Sequence, residues 1–348
     1  MSKIKIGIMG ASGYGGGELI RTLLRHPHSE IKVATSNTYA GKPVWASFPG
    51  LQGFTDLQYS PDGDPSAFDE CDLVFLARDN GQAMNFAGDY VARGIRVIDL
   101  SADFRFRDPA EYAVWYNMEH ASPELTVGSD YGLPELHEQA IRQASIVGNP
   151  GCYATASILA LAPLYSHELA HTDNIIVDGK SGISGAGRSK FSLDYHFPEA
   201  NESVTAYKIG GTHRHTGEIE QELSAIAGAP LKVSFTPHLV PMTRGILLTA
   251  YANLVGEKST ADLLGIYREF YAKAPFVQVV DKLPSTKHVA GSNMCHIGLS
   301  VDPRTNRVTV ISVIDNLGKG MVGQAIQNMN IMFHQRQENG LLAPGLWP

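Results

Sequence analysis

The stretch GASGYGGGEL, Gly10 to Leu19, constrains what this chain can fold into more than any other. It follows Ile4–Met9, an apolar run that reads as a short buried strand, and it leads into the apolar-periodic stretch Glu18–Leu24 of a helix. Strand, tight glycine turn and helix in that order open a parallel α/β fold. Gly10, Gly13 and Gly16 leave backbone N–H groups and the helix N-terminus open to a pyrophosphate. Ser12, Tyr14 and Gly15 share that turn and join the three glycines as candidate cofactor contacts. The spacing is G-x-x-G-x-x-G rather than the commoner G-x-G-x-x-G, yet it meets the same geometric need for small residues.

Further strand-like runs at Ile31–Thr35, Leu73–Ala77, Ile95–Asp99 and Ser145–Gly148 continue the alternation, which predicts a mostly parallel sheet covered on both faces. After Cys152 the pattern changes. Ala154–Leu164 reads as a helix, and Ile175–Asp178, Leu231–Phe235, Gly245–Asn253, Phe276–Val280, Cys295–Val301 and Val308–Val313 read as strands of a mixed or antiparallel sheet. Gly318–Phe333 is helical again, with Val322, Ile326, Met329 and Phe333 forming one buried stripe. The runs thus predict a parallel α/β region up to about residue 148, followed by a region with a mixed or antiparallel sheet.

About 20 residues beyond the glycine turn, an NAD-preferring site places an acid on the ribose. Here the segment Ala34–Lys42, ATSNTYAGK, holds none. Ser36 and Asn37 as hydrogen-bond donors and Lys42 as a charge suit a 2′-phosphate, so NADP is the expected cofactor.

A chain of 348 residues, 43% hydrophobic and 18% charged, suits a folded two-domain protein and excludes disorder. With 28 Lys+Arg against 35 Asp+Glu, the net charge of −7 carries no basic block for nucleic acid or an anionic membrane. No apolar stretch reaches the ~18 residues that would span a bilayer. The three cysteines lack the pairing of a disulfide framework and the spacing of a metal site, which fits a reducing, cytoplasmic setting with no metal.

Of those cysteines, Cys71 and Cys295 lie within or beside strand-like apolar runs and read as packing residues. Cys152 differs. In SIVGNPGCYATAS it follows the turn formers Asn149, Pro150 and Gly151 at the entrance of a helix, where the partial positive charge of the N-terminus lowers a thiol pKa.

GASGYGG, SADFR (Ser101–Arg105), GNPGCYAT (Gly148–Thr155), SGISGAGR (Ser181–Arg188), HRHTGEIEQ (His213–Gln221) and HLVPMTRG (His238–Gly245) together resemble the N-acetyl-gamma-glutamyl-phosphate reductase family of arginine biosynthesis. DNLGKGMVGQAIQ (Asp315–Gln327) is similar to an element shared with aspartate-semialdehyde dehydrogenases. The resemblance spans nearly the whole chain. It implies NADPH-dependent reduction of an acyl phosphate through a thioester on Cys152, a Rossmann dinucleotide-binding domain of residues 1–148 and 315–348 with an inserted α+β catalytic and dimerisation domain at 149–314, and a homodimeric or homotetrameric state.

Such chemistry needs an acid/base and cations. His213 and His215 are two apart, on opposite faces if extended, and His215 is the chosen acid/base because Glu218 follows it by one helical turn and can orient the ring. Arg105, Arg188 and Arg244 stand beside small or turn residues and are candidates for the substrate's phosphate and carboxylate, Arg105 foremost for phosphate, with Asn149 also assigned to substrate. The resemblance places Ser181, Gly182, Asn316 and Lys319 at the cofactor. Related reductases acting on carrier-linked aminoadipyl or glutamyl phosphate, or on aspartyl phosphate, are the alternatives within enzymes; a non-catalytic NADPH sensor is the alternative outside them.

Overall fold

The computed structural model describes residues 3–189 and 191–347. These fall into two compact units: one of residues 3–150, 187–189 and 321–342, the other of residues 151–186, 191–320 and 343–347. Asp315–Gly320 pack with the second unit.

Among its described residues, the first unit is built on a seven-stranded sheet of β1 (Ile4–Met9), β2 (Ser29–Thr35), β3 (Tyr59–Ser60), β4 (Leu73–Leu76), β5 (Arg96–Asp99), β6 (Ser129–Tyr131) and β7 (Ile146–Gly148). All pairings are parallel, in the order β3-β2-β1-β4-β5-β7-β6. The order reverses direction between β1 and β4, and a doubly wound sheet presents its ligand crevice at the carboxyl ends beside such a switch point. Helices α1 (Tyr14–Leu23), α2 (Ala87–Ala92), α3 (Pro109–Tyr116) and α4 (Pro134–Gln143) belong to this unit. Val97, Ile98 and Val74 are fully buried, as the near-continuous apolar runs of a sheet covered on both faces require.

The second unit carries a mixed sheet of β8 (Ile175–Ser181), β9 (Thr205–Ala206), β10 (Val233–Leu239), β11 (Ile246–Asn253), β12 (Val277–Val279), β13 (Cys295–Asp302) and β14 (Arg307–Ile314), in the order β12-β13-β14-β11-β8-β10-β9. β11, β13 and β14 pair antiparallel through long ladders. β8 and β10 pair parallel instead, because a helix lies between them in the chain and parallel neighbours need such a crossover. The unit's helices are α5 (Cys152–Ser166), α6 (Phe197–Ala200), α7 (His215–Ala227) and α8 (Thr260–Phe270).

α5 is apolar on every side, and Ile158, Leu159, Leu161 and Leu164 are fully buried. It packs on α7, α8, β11 and β14. Burial at roughly 1.5–3 kcal/mol for each large apolar side chain makes this helix the anchor of the second unit. Its first residue is Cys152.

The chain returns to the first unit through a π-helical turn, Gly318–Val322, and α9 (Gly323–Met332). The expected single stripe is not what forms: every residue of α9 is buried, including Gln324, Gln327, Asn328 and Asn330. Hydrogen bonds make that possible. Gln324 and Asn328 both donate to the Gly132 carbonyl, at 2.7 and 2.8 Å, and Asn330 donates to the carbonyls of Gln337 and Asn339.

Candidate active site

The turn between β7 and α5 is fixed from several directions. Gly148 lies so close to Phe104 that a Cβ there would come within 2.0 Å of its carbonyl oxygen. The Asn149 N–H donates to the Asp99 carbonyl at 2.8 Å, and the Arg105 guanidinium donates through Nε to the Asn149 carbonyl at 2.7 Å. The Asn149 side chain donates to the Met321 carbonyl and accepts from Asn328. Gly151 then caps α5 in an extended conformation, with Thr155 closing the first turn onto its carbonyl at 2.8 Å.

Cys152 thus opens a 15-residue helix, where the macrodipole favours a thiolate. It is half-buried, whereas Cys71 and Cys295 are buried. The Cys71 thiol is pushed up to about 11, mainly by burial, and the Cys295 sulfur lies 3.4 Å from the Ser312 hydroxyl. Gly320 passes beside the candidate nucleophile: a Cβ there would come within 2.9 Å of the Cys152 Cβ.

The histidines take different places. The His213 Nδ1 accepts the backbone N–H of His215 at 3.1 Å, so His213 holds the start of α7. The chain turns at this point instead of running extended, and the two rings lie 4.8 Å apart rather than on opposite faces. His213 is buried among Tyr153, Tyr207 and Phe235, with ring centroids 5.2 to 5.7 Å away. Burial, reinforced by His215, Lys208 and Arg214, pushes its pKa down to about 2. His213 is therefore neutral at any working pH.

His215 keeps some solvent access, its side chain 18% exposed. Its ring packs on the residue before the thiol, since a Cβ on Gly151 would sit 2.4 Å from His215 Nε2. Glu218 is fully buried. Its Oε2 accepts the Gly151 N–H at 2.9 Å, and its Oε1 lies 4.0 Å from His215 Nε2. One carboxylate thus tethers the α5 cap and faces the imidazole. Gly151→Ala is expected to push that ring away and lower kcat at least about tenfold while the first unit still binds cofactor; steady-state kinetics with a separate cofactor titration check this.

The three arginines are held by different partners. Arg105 is buried and held by the carbonyls of Asn149 and Leu100. Arg188 belongs to the first unit, where it donates to the Ser12 carbonyl at 3.2 Å and stacks on Phe48 at 4.9 Å. In the second unit Arg244 lies 3.4 Å from the buried Asp315 carboxylate.

In the first unit, the glycine turn has the shape a dinucleotide needs. Gly10 adopts φ +79°, and a Cβ there would sit 2.4 Å from the Ala77 carbonyl oxygen. Gly16 packs against Ala11 so closely that a Cβ would come within 2.4 Å of its backbone. Gly13 is the extended cap before Tyr14 opens α1, and Gly15 packs on Met321. The Ser12 and Ser36 hydroxyls are 2.8 Å apart, which ties the turn to the end of β2. Asn37 and Lys42 are exposed: Asn37 accepts the Asp62 N–H at 3.0 Å, and the Lys42 ammonium lies 5.9 Å from the Tyr39 ring.

Other expected cofactor residues act within the second unit. The Asn316 amide is engaged at both ends, accepting the Gly245 N–H at 2.7 Å and donating to the Ser184 hydroxyl at 2.9 Å. Lys319 is fully buried one residue before Gly320. The Ser181 hydroxyl donates to the Gly182 carbonyl, and Gly182 lies against the Thr243–Arg244 backbone, 2.8 Å from a notional Cβ.

Residues 5–144 match the family model of the semialdehyde dehydrogenase NAD binding domain, and residues 152–316 match that of the semialdehyde dehydrogenase dimerisation domain. A curated N-acetyl-gamma-glutamyl-phosphate reductase of Symbiobacterium thermophilum is 53% identical over 98% of each chain. The chain belongs to the N-acetyl-gamma-glutamyl-phosphate reductase family. Another reductase of that name, from Desulforudis audaxviator, is 48% identical over 99% of this chain and 100% of its own. Among solved structures, aspartate semialdehyde dehydrogenase II from Vibrio cholerae shares the fold at a TM-score of 0.74 and 16% identity, covering 96% of this chain and 99% of its own.

In this member of the N-acetyl-gamma-glutamyl-phosphate reductase family, sequence reasoning missed Asp315, Tyr153 and Tyr207. Asp315 is fully buried: Oδ1 accepts the N–H groups of Leu317 and Gly318, and Oδ2 accepts that of Gly291 at 2.6 Å. It therefore shapes the turn that carries Lys319 and Gly320. The signal was present as an Asp before Asn-Leu-Gly, a residue type that binds the backbone two residues on. The tyrosines gave no signal, because only folding packs them on His213.

Proposed function

We propose that the chain reduces N-acetyl-gamma-glutamyl phosphate to N-acetyl-glutamate 5-semialdehyde, using NADPH and a thioester on Cys152. The observation that carries this reading is the placement of Cys152 as the first residue of α5, with the His215 ring packed on Gly151 and Glu218 hydrogen-bonded to the same residue. Relatives at 48 to 53% identity bear the name of this reaction. Gly10 and Gly16 fit a dinucleotide, because each sits where a side chain would collide with backbone.

The Cys152 thiolate attacks the γ-carbonyl carbon, the tetrahedral adduct expels phosphate, and an acyl thioester remains on sulfur. The glycine turn, Gly10–Gly16, would hold the pyrophosphate of the bound dinucleotide, whose reduced nicotinamide would supply the hydride that the thioester carbon accepts to give a hemithioacetal. Collapse breaks the C–S bond, releases the aldehyde and returns the thiolate. His215 holds the proton that passes between thiol, phosphate and hemithioacetal oxygen, and Glu218 orients its ring. Arg105 and Arg244, with Asn149, serve the substrate's anionic groups, while Arg188 serves the cofactor turn. Ser36, Asn37 and Lys42 favour the 2′-phosphate of NADP, and the family resemblance assigns Lys319 to the cofactor.

A carrier-linked substrate fits less well, since a net charge of −7 would repel an acidic carrier. Among the described residues no helix is long and apolar enough to cross a membrane, and no cluster of His, Cys, Asp or Glu could hold a metal. A cytoplasmic homodimer or homotetramer accords with this reading. Run in reverse, the purified protein with N-acetyl-glutamate 5-semialdehyde, phosphate and NADP is expected to form NADPH, read by absorbance. Aspartate semialdehyde or NAD in place of either partner is expected to give at least about tenfold lower kcat/KM, and equal rates would refute the assignment.

A further inference from the structure

The carboxyl ends of β1, β2 and β4 hold a charge pair that the reaction does not use. Asp62, in the loop after β3, has a side chain only 11% exposed, and its Oδ2 lies 2.5 Å from Arg78 Nη1. Its Oδ1 accepts from the Thr35 hydroxyl, and Thr35 Oγ1 accepts the Gly10 N–H at 3.2 Å. Arg78 follows β4 and packs over the glycine turn, its Cδ 3.0 Å from a notional Cβ on Gly10, while its Nη2 donates to Gln82 Oε1 at 3.0 Å. An acid does stand at the end of β2, contrary to the reading of Ala34–Lys42 alone. It comes from another loop, 27 residues beyond Thr35.

An acid at this point of a dinucleotide fold accepts the ribose hydroxyls of an unphosphorylated cofactor and repels a 2′-phosphate. Here both carboxylate oxygens are engaged and the charge is balanced. Because the pair is largely shielded from solvent, removing the guanidinium would leave the carboxylate uncompensated and weakly screened.

We propose that the Asp62–Arg78 pair is a coenzyme-selectivity determinant of this chain beside Ser36, Asn37 and Lys42: Arg78 occupies and neutralises Asp62, so the ribose end tolerates a 2′-phosphate, and losing Arg78 uncovers an acid that selects the unphosphorylated dinucleotide. This rests on the reading that a nicotinamide dinucleotide binds the glycine turn.

The test is calorimetric binding of NADPH and NADH to the full chain without substrate, with the cofactor-free melting temperature of each variant. Arg78→Met is expected to weaken NADPH at least about tenfold while NADH binds unchanged or tighter. Asp62→Asn combined with Arg78→Met is expected to recover NADPH binding to within about threefold of wild type, although it still lacks the arginine. A double variant as weak as Arg78→Met would make Arg78 a direct phosphate ligand and overturn the proposal, as would equal loss of both cofactors or no change in Arg78→Met. If Arg78→Met does not fold, Arg78→Lys and the double variant decide, since both are expected near wild-type NADPH affinity and a tenfold loss in either overturns the proposal. Wild type binding neither dinucleotide would instead overturn the reading beneath it.

Discussion

Cys152→Ser is expected to lower turnover by about 10³-fold or more while leaving NADPH affinity within about twofold of wild type. The two properties separate because the glycine turn lies in the first compact unit and Cys152 opens the first helix of the second. A serine hydroxyl at the same helix N-terminus gains the same dipole but stays protonated near neutrality, where a thiol can ionise. The thioester also accepts hydride more readily than an ester would. Cys71→Ser and Cys295→Ser provide the contrast: both cysteines are buried, and Cys71 packs in the core with Phe68. Their replacement is expected to lower the melting temperature and spare kcat. Stopped-flow and steady-state rates, with calorimetric titration of NADPH, distinguish these outcomes. More than a tenth of wild-type rate in Cys152→Ser would defeat the covalent mechanism.

Much of the fold was legible because apolar runs mark strands wherever the strand is long. Ile4–Met9 forms β1 to the residue, and Cys295–Val301 differs from β13 only at Asp302. What escaped were β3, β6 and β9, edge strands of two or three residues whose few polar or aromatic side chains leave no period to detect. The parallel pairing of β8 with β10 escaped as well, since it depends on α7 crossing between them and not on either strand's own pattern. α9 misled in the other direction. Its apolar stripe predicted a half-buried helix, but side-chain amides bonded to Gly132, Gln337 and Asn339 let the opposite face be buried too.

The candidate site was legible where function and local geometry coincide, as at Gly10 and at Gly151–Cys152, because a glycine required by close approach is visible as a glycine. Long side chains were less legible. Arg188 sits in a motif shared with Ser181 and Gly182, yet it belongs to the first unit, where its guanidinium joins Ser12 and Phe48. A reach of several ångströms from the backbone decouples where a charge is encoded from where it acts. Asp62 shows the same effect, as an acid invisible in the window after β2 because it arrives from a later loop.

The two histidines are expected to separate by kinetics. His215→Ala should reduce kcat by ~10²–10⁴, the ordinary cost of losing a general acid/base, because this imidazole packs on the residue preceding the nucleophile and keeps an outlet to solvent. His213→Ala should act on stability and KM instead. Its ring is buried and neutral, and Nδ1 serves the His215 N–H, so its loss opens a cavity and frees the start of α7. Glu218→Gln tests the link between them. The amide can still accept the Gly151 N–H through its oxygen, so the α5 cap survives, but the negative charge beside His215 is gone. Losing the charge that orients the ring should lower kcat, by less than His215→Ala does, and displace the pH–rate profile. The double variant should be far from additive, since both changes disable one unit. Measured as kcat/KM against pH for wild type and all four variants, an inactive His213→Ala beside an active His215→Ala would transfer the proton-handling role to His213 and leave the thioester on Cys152 untouched.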